Sequence, residues 1–421
     1  MTIKEQILGM GANALSASRA LANLSTKDKN TILIAMADGL ESSAEQILTG
    51  NDLDIKTAEE LDLTSAMIDR LRLDEQRLAA IADGIRQVAS LPDPVGEVIS
   101  NWQRPNGIDI TQLRVPIGVI GIIFESRPNV TSDAAVLCLK AGNATILRGG
   151  SEAIHSNKAI AKALQSGGEK AGLPHNSIQL IPFTDRESVQ HLAEMDQFLD
   201  LIIPRGGAGL IETVVSLARM PVIKHYDGIC HVFADKKSDV NMAASITVDA
   251  KTQKPGVCNA LETLLVHKDI AEDFLPLVAD QLISLNVELR CDKDAMAIIG
   301  DGVIAAEETD WRAEYLDLIL AIKVVDSLTG AIEHINEFGS QHSDCIVTES
   351  ESRAERFLKE IDSATVFWNT STRFSDGEEF GFGAEIGIST DKLHARGPMA
   401  LRELTSYKYL VRGEGQTKGQ S

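Results

Sequence analysis

No stretch of this 421-residue sequence is apolar for long enough to span a membrane. A bilayer crossing takes about 20 predominantly apolar residues, and the best uncharged run, Val115 to Phe124, is about half that. The first ten residues include Lys4 and Glu5 but neither a basic leader nor a long apolar segment, so export is not expected. Positive charge is in deficit: 61 Asp and Glu against 40 Lys and Arg leave a formal net charge of −21. A surface that acidic repels phosphate backbones and anionic lipid. Nucleic-acid and membrane-surface roles are therefore disfavoured, and an anionic ligand needs a local basic cluster. Cysteine is sparse: Cys138, Cys230, Cys258, Cys291 and Cys345 are odd in number, scattered and without a CxxC pair. That argues against a disulfide framework or a cysteine zinc site and for a reducing cytoplasm. Nucleotide fingerprints are missing as well, with no GxxxxGK(S/T) and no GxGxxG after the first strand. There is no HExxH and no His or Cys pair at ligand spacing, and the adjacent His342, Ser343 and Asp344 do not make an ion site, so no metal is expected.

What is present reads as a globular α/β protein. Hydrophobic residues make up 44% of the chain, enough for sizeable cores in two or three domains. The first ninety residues read as helices. Ser25 and Thr26 offer an N-cap before Ile32, Leu33, Met36, Leu40, Ala44 and Ile47, and a second helical stretch runs from Thr64 to Ala89 until Pro92 and Pro94 close the region. From Gly96 the texture changes. Val98 to Trp102 and Ile108 to Val115, around Pro105-Asn106-Gly107, read as a hairpin. Val119 to Phe124 is a continuous apolar run, as a strand covered on both faces requires. Strands at 145–147, 178–181, 199–203 and 222–223 then alternate with helices, the pattern of a parallel sheet with crossover helices. A second alternating series runs from Cys230 to about Phe367, and Ser406 to Val411 reads as a last strand before a polar tail, 412–421. Two successive α/β units with a boundary near Gly228 follow.

Few residues suggest chemistry by themselves. Arg205 to Gly209, after an apolar strand and before a helix, either lets main-chain N–H groups approach an anion such as a pyrophosphate or is an ordinary tight turn. Cys138, Cys230 and Cys345 read as small core residues; Cys291, beside Arg290 in a charged turn, could be reactive. Cys258 differs, because it lies in a polar loop (KTQKPGVCNA, 251–260) where Lys251, Lys254 and main-chain N–H groups favour a thiolate. It is either a nucleophile or a structural cysteine. Basic residues in Gly- or Pro-rich turns stand out from the acidic background: Arg127, Arg148, Arg205, Lys224 with His225, and His394 with Arg396. Several follow apolar strands, at the carboxyl ends where open parallel sheets bind ligands.

Longer motifs resemble a family. Residues 116–121 (PIGVIG), 141–143 before 146–148 (AGN, ILR) and 256–259 (GVCN) are similar to the aldehyde dehydrogenase superfamily, in its own order. Residues 124–131 (FESRPNVT), 203–207 (IPRGG), 254–260 (KPGVCNA), 331–335 with 342–344, 382–390 (FGAEIGIST) and 394–398 (HARGP) resemble its branch that reduces glutamyl phosphate, over nearly the whole chain. The resemblance implies an aldehyde-dehydrogenase-like α/β fold of two open, mostly parallel domains with a small β oligomerisation element. It implies an NADP-binding domain at 1–95 and 117–228, a catalytic domain at 229–400 and a homo-oligomer formed through 96–116 and 401–411. Cys258 aligns with the superfamily nucleophile, next to Asn259 of the same motif. Arg148 takes the place of a lysine at the adenosine ribose, where a guanidinium suits the 2′-phosphate of NADPH. Gly206 and Gly207 fall at the pyrophosphate and Glu314 at the nicotinamide ribose. Hydrolytic members carry a glutamate base, and counting back from Cys258 puts Lys224 there. A cation favours phosphate, rather than water, as the group that makes or cleaves a thioester. Glu125-Ser126-Arg127 stands where the family's oxyanion-hole asparagine usually lies. Arg127, Lys224 and Arg396 are candidate contacts to the phosphate and carboxylates of L-glutamyl 5-phosphate, and glutamate 5-kinase is a candidate partner. The alternative is a hydrolytic NAD(P)-dependent aldehyde dehydrogenase.

Overall fold

The computed structural model describes residues 1–224 and 226–418. They fall into two compact units, the first made of Met1–Lys224, Gly381–Gly387 and 399–418, the second of 226–380 and Ile388–Pro398.

In the first unit, the opening helices are α1 (Ile3–Leu21), α2 (Thr26–Ser42), α3 (Ala44–Glu60), α4 (Ser65–Leu71) and α5 (Glu75–Ser90). Reciprocal capping boxes start α1 (Thr2 with Glu5) and α2 (Ser25 with Asp28), each satisfying two otherwise unpaired N–H groups. Each of the two helical stretches expected from periodicity is in fact a pair. The first breaks at Ser43. The second breaks at 72–74, where Asp74 caps α5 by accepting from Arg77 N at 2.7 Å. Strands β1 (Val98–Gln103) and β2 (Asp109–Pro116) form the expected antiparallel hairpin. Then come β3 (Val119–Phe124), α6 (Asn129–Lys140), β4 (Ala144–Arg148), α7 (Ile154–Lys170), β5 (Ile178–Leu180), α8 (Glu187–Ala193), β6 (Leu201–Arg205) and α9 (Ala208–Leu217). Among the described residues these strands make a parallel sheet in the order β5-β4-β3-β6. All six residues of β3 are buried, as a strand sandwiched between helices demands. Residues 222–223, expected as a strand, supply only an isolated bridge from Val222 to Ile202, because the chain leaves the sheet at once.

The second unit contains β7 (Cys230–Ala234), α10 (Val240–Thr252), β8 (Leu261–His267), α11 (Lys268–Ser284), β9 (Glu288–Cys291), α12 (Lys293–Ile299), β10 (Ile304–Ala305), β11 (Ile319–Val325), α13 (Leu328–Phe338), β12 (Ser343–Val347), α14 (Glu351–Glu360) and β13 (Thr365–Trp368). They build a parallel sheet in the order β10-β9-β11-β8-β7-β12-β13. Val232, Leu264, Leu320, Ile322 and Cys345 pack on one face with α11, and Phe233, Leu265 and Ile346 on the other with α13 and α14. Back in the first unit, β14 (Thr405–Arg412) pairs antiparallel with β2 and completes a three-stranded sheet with the hairpin. The result is the mixed α/β architecture with mostly parallel sheets that the strand-and-helix alternation implies.

Candidate active site

In the first unit the residues of interest collect at the carboxyl ends of β3, β4 and β6. Arg148 ends β4 and is nearly buried; its guanidinium donates to Thr184 O (2.9 Å), Gly149 O (3.2 Å) and Ser188 Oγ (3.4 Å). Burial lowers its pKa, opposed by Glu152, Glu125 and Asp185. β3 runs into Glu125, Ser126 and Arg127. Ser126 adopts φ +46, in the left-handed region, held by Glu152, which accepts from both Ser126 N and Ser126 Oγ. Arg127 is exposed in the turn before α6. β6 runs into Gly206 and Gly207. A Cβ on Gly206 would lie 2.3 Å from Glu125 Oε2, so a larger residue there would push the Glu125 side chain aside. Gly207 is the N-cap of α9 with no side-chain cap, and its N–H donates to Glu125 Oε2 at 3.0 Å. A protein carboxylate thus already sits at a helix N-terminus read as a phosphate position. Lys224 is half-buried past the Val222 bridge; His225 lies outside the described residues, as do Gly419 to Ser421 of the polar tail.

In the second unit the site forms at the opposite edge, where the strands begin. Cys258 lies in the loop between α10 and β8 and is half-buried. The other four cysteines are buried, and burial pushes Cys138, Cys291 and Cys345 up to about 12 and Cys230 well above its usual value. Cys291 is therefore no reactive turn residue but the buried end of β9. Gly228 packs on the Cys258 main chain so closely that a Cβ would fall 2.0 Å from Cys258 O. The same carbonyl accepts from Cys230 Sγ at 3.2 Å. Gly228 N donates to Glu314 Oε1 at 2.8 Å, so the glutamate expected at a ribose stands one peptide from the cysteine's main chain. Burial raises the Glu314 pKa, while the Gly228 N–H opposes the rise. Asn259 is buried, its amide donating to Ser375 O (3.0 Å) and Arg373 O (3.3 Å), which braces the loop against 371–375.

Two placements differ from the sequence reading. Lys251, expected to polarise Cys258, is fully buried with its ammonium 2.6 Å from Glu262 Oε2, so its charge is answered locally. Arg396 donates to Asp362 Oδ1 (2.7 Å) and Asp362 O (2.6 Å), an internal engagement that leaves only part of its guanidinium for a ligand. Sequence reasoning missed Gly228, Cys230 and Glu262. Glycine after Tyr226-Asp227 was a visible signal, whereas Cys230 reads as an ordinary strand residue. Among the described residues no three His, Cys, Asp or Glu side chains are grouped to hold a metal ion. No helix among them is long and apolar enough to cross a membrane.

The parallel sheets, the half-buried cysteine at a strand-entry loop and the glycine-opened α9 N-terminus together define a class. The chain belongs to the aldehyde dehydrogenase family, whose model matches residues 3–299. Within it, the chain is 54% identical over 418 residues to the gamma-glutamyl phosphate reductase of Geotalea daltonii, covering 99% of this chain and 100% of that protein. It is 55% identical to that of Caldanaerobacter subterraneus, covering 96% and 98%. The crystal structure of gamma-glutamyl phosphate reductase from Thermotoga maritima is similar with a TM-score of 0.96 and 45% identity, covering 98% of this chain and 99% of that one.

Proposed function

We propose that this protein reduces L-glutamyl 5-phosphate to L-glutamate 5-semialdehyde and phosphate, a step of L-proline biosynthesis, with NADPH as reductant and Cys258 as nucleophile. The full-length likeness to gamma-glutamyl phosphate reductases supports the overall reaction. The observation that carries the cysteine's role is its setting: the one thiol of five that is not buried, with its main chain clamped by Gly228 and Cys230.

The Cys258 thiolate attacks the acyl carbon, the C–O bond to phosphate breaks, and a thioester forms on Sγ. Covalent catalysis of this kind exchanges a difficult step for two easier ones. The main-chain N–H of Cys258, held by that clamp, is a donor for the oxyanion. The nicotinamide, when bound, would supply hydride; cleavage of the C–S bond to Cys258 would then release the aldehyde and return the electron pair to sulfur as thiolate. Glu314 would hold the nicotinamide ribose, Gly206 and Gly207 the pyrophosphate, and Arg148, through its remaining N–H donors, the 2′-phosphate. Glu125 Oε2 now accepts from Gly207 N, so a phosphate at this helix end would take the place of that carboxylate. Arg127, Lys224 and Arg396 are the candidate substrate contacts, and Asn259 keeps the nucleophile loop in place. With Lys224 where hydrolytic relatives place a carboxylate, phosphate rather than water is the group that leaves when the thioester forms and that cleaves it in the reverse direction.

The hairpin sheet exposes Val98, Trp102, Tyr407, Tyr409 and Val411 together, which supports homo-oligomerisation through it. A cytoplasmic location and an association with glutamate 5-kinase belong to the same reading. In the reverse direction, NADP reduction by the semialdehyde is expected to require added phosphate or arsenate. Phosphate-independent turnover would instead make this a hydrolytic aldehyde dehydrogenase.

A further inference from the structure

Lys251 and Glu262 take no part in the chemistry above, yet both are fully buried and paired at 2.6 Å. Lys251 lies in the last turn of α10 and Glu262 is the second residue of β8, so the pair ties together the two ends of the loop that carries Cys258. The other carboxylate oxygen, Glu262 Oε1, accepts from Leu316 N at 3.3 Å. Leu316 stands two residues beyond Glu314 and adopts φ +53, a left-handed conformation that a leucine keeps only when its surroundings impose it. Tyr315 between them is held from its other side, donating to Asp310 Oδ1 at 2.8 Å, with the Arg290 guanidinium 5.1 Å from its ring centre. The loop of the nucleophile and the turn of Glu314 therefore share one carboxylate. They meet again at Gly228, which takes Glu314 on its N–H and packs against Cys258.

Stability does not explain such a pair. Two ions taken out of water lose much of what their attraction returns, and apolar replacements of a buried pair are commonly neutral or stabilising. Burial pushes the Glu262 carboxyl up to about 7 and the Lys251 ammonium down, the signature of that lost hydration.

Resting on the reading that Cys258 is the nucleophile and Glu314 a cofactor contact, we propose that Glu262 is a positioning residue. One of its oxygens closes the Cys258 loop through Lys251, and the other fixes the Glu314 turn through Leu316 N–H, so that the two stay in register.

Two double variants isolate the claim. K251M/E262L removes both charges and the acceptor for Leu316 N–H; K251M/E262Q removes both charges but keeps an amide oxygen there. Melting temperature, NADPH affinity by fluorescence titration, and kcat and KM are measured on each. K251M/E262L is expected to melt near the wild type while losing about tenfold or more in NADPH affinity and in kcat, as small misplacements do. K251M/E262Q is expected to recover most of the NADPH affinity. Equal NADPH affinity in the two variants, or a K251M/E262L protein that matches the wild type, overturns the proposal. If K251M/E262L does not fold, hydrogen exchange on the wild-type protein decides: the Leu316 amide should be protected, and exchange at the rate of an unstructured peptide contradicts the anchor. Cys258→Ala is the separating control. Turnover retained there sinks the reading of the site, whereas turnover lost there with K251M/E262L unaltered sinks only the role of Glu262.

Discussion

The two parallel sheets of this protein carry their candidate site residues at opposite ends of the strands. In the first unit Arg127, Arg148, Gly206 and Gly207 follow the carboxyl ends of β3, β4 and β6. In the second, Gly228, Cys258 and Glu314 precede β7, β8 and β11. Helix capping explains the difference. In the second unit Asp239, His267, Asp292 and Ser327 cap α10, α11, α12 and α13 with their own side chains, each satisfying one N–H donor at the edge where open sheets otherwise receive ligands, while α14 has no such cap. In the first unit the helices α6, α8 and α9 begin without a side-chain cap from their own N-cap residue, and a distant carboxylate closes two helix starts, Asp54 accepting from His155 N and Ser156 N at α7 and Glu125 accepting from Gly207 N at α9. In the proposed reading, the glycine start of α9 receives phosphate once Glu125 moves aside, and the more fully capped carboxyl edge of the second sheet leaves the strand-entry loops for covalent chemistry. A parallel sheet therefore does not by itself say which edge works. The distribution of caps does.

Four substitutions would break or sharpen that contrast. Cys258→Ala should reduce glutamyl phosphate-dependent NADPH oxidation by about 10⁶-fold, the scale for loss of a nucleophile, in a protein whose melting temperature is unchanged. Gly228→Ala places a methyl 2.0 Å from Cys258 O and must displace the Cys258 loop. Its kcat should fall by about 100-fold, and steady-state kinetics of the folded variant measure it. Gly207→Asp would give α9 the kind of cap the second unit uses; space is open there, with no atom within 4 Å of an added Cβ. Replacing an N-cap glycine changes stability by only about a few tenths of a kcal/mol, but a fixed carboxylate should weaken NADPH binding about tenfold through like-charge repulsion. Unchanged affinity by fluorescence titration would mean that phosphate binds elsewhere.

The smallest effect is in Asp133 on α6. Burial pushes its carboxyl up to about 6, with the Asn129 amide and Arg205 opposing. A folded value above the unfolded one means that the native state holds the extra proton between about pH 4 and 6. The Asp133 contribution to stability therefore falls as pH rises through that window, and at pH 7 the ionised group is a burden on the native state. Asp133→Asn should stabilise the protein at pH 7.5 and lose that advantage by pH 4, which thermal melts at the two pH values compare.

Residues whose placement is set by near neighbours in the chain were legible. The apolar run 119–124 reads as a covered strand, and Cys258 separates from the other cysteines by its Lys-, Pro- and Gly-rich loop. Roles set by distant partners were not. Lys251 looks like a free cation beside a thiol until β8 brings Glu262 against it. Arg290 and Asp292 give Cys291 a polar neighbourhood in sequence, yet the alternation of β9 turns its thiol inward. Gly228 is required by the Cys258 main chain thirty residues on, a contact that no local pattern encodes. The break before α5 was legible in principle, since Asp74 is a good cap, but the apolar period runs across it.

The central claim is that carbon bonds to the Cys258 sulfur at the amino edge of the second sheet. Intact-protein and peptide mass spectrometry after mixing with glutamyl phosphate, without NADPH, tests it directly. The account predicts one glutamyl group on Cys258 that disappears when NADPH is added; an unmodified Cys258 in enzyme that turns over normally would contradict it.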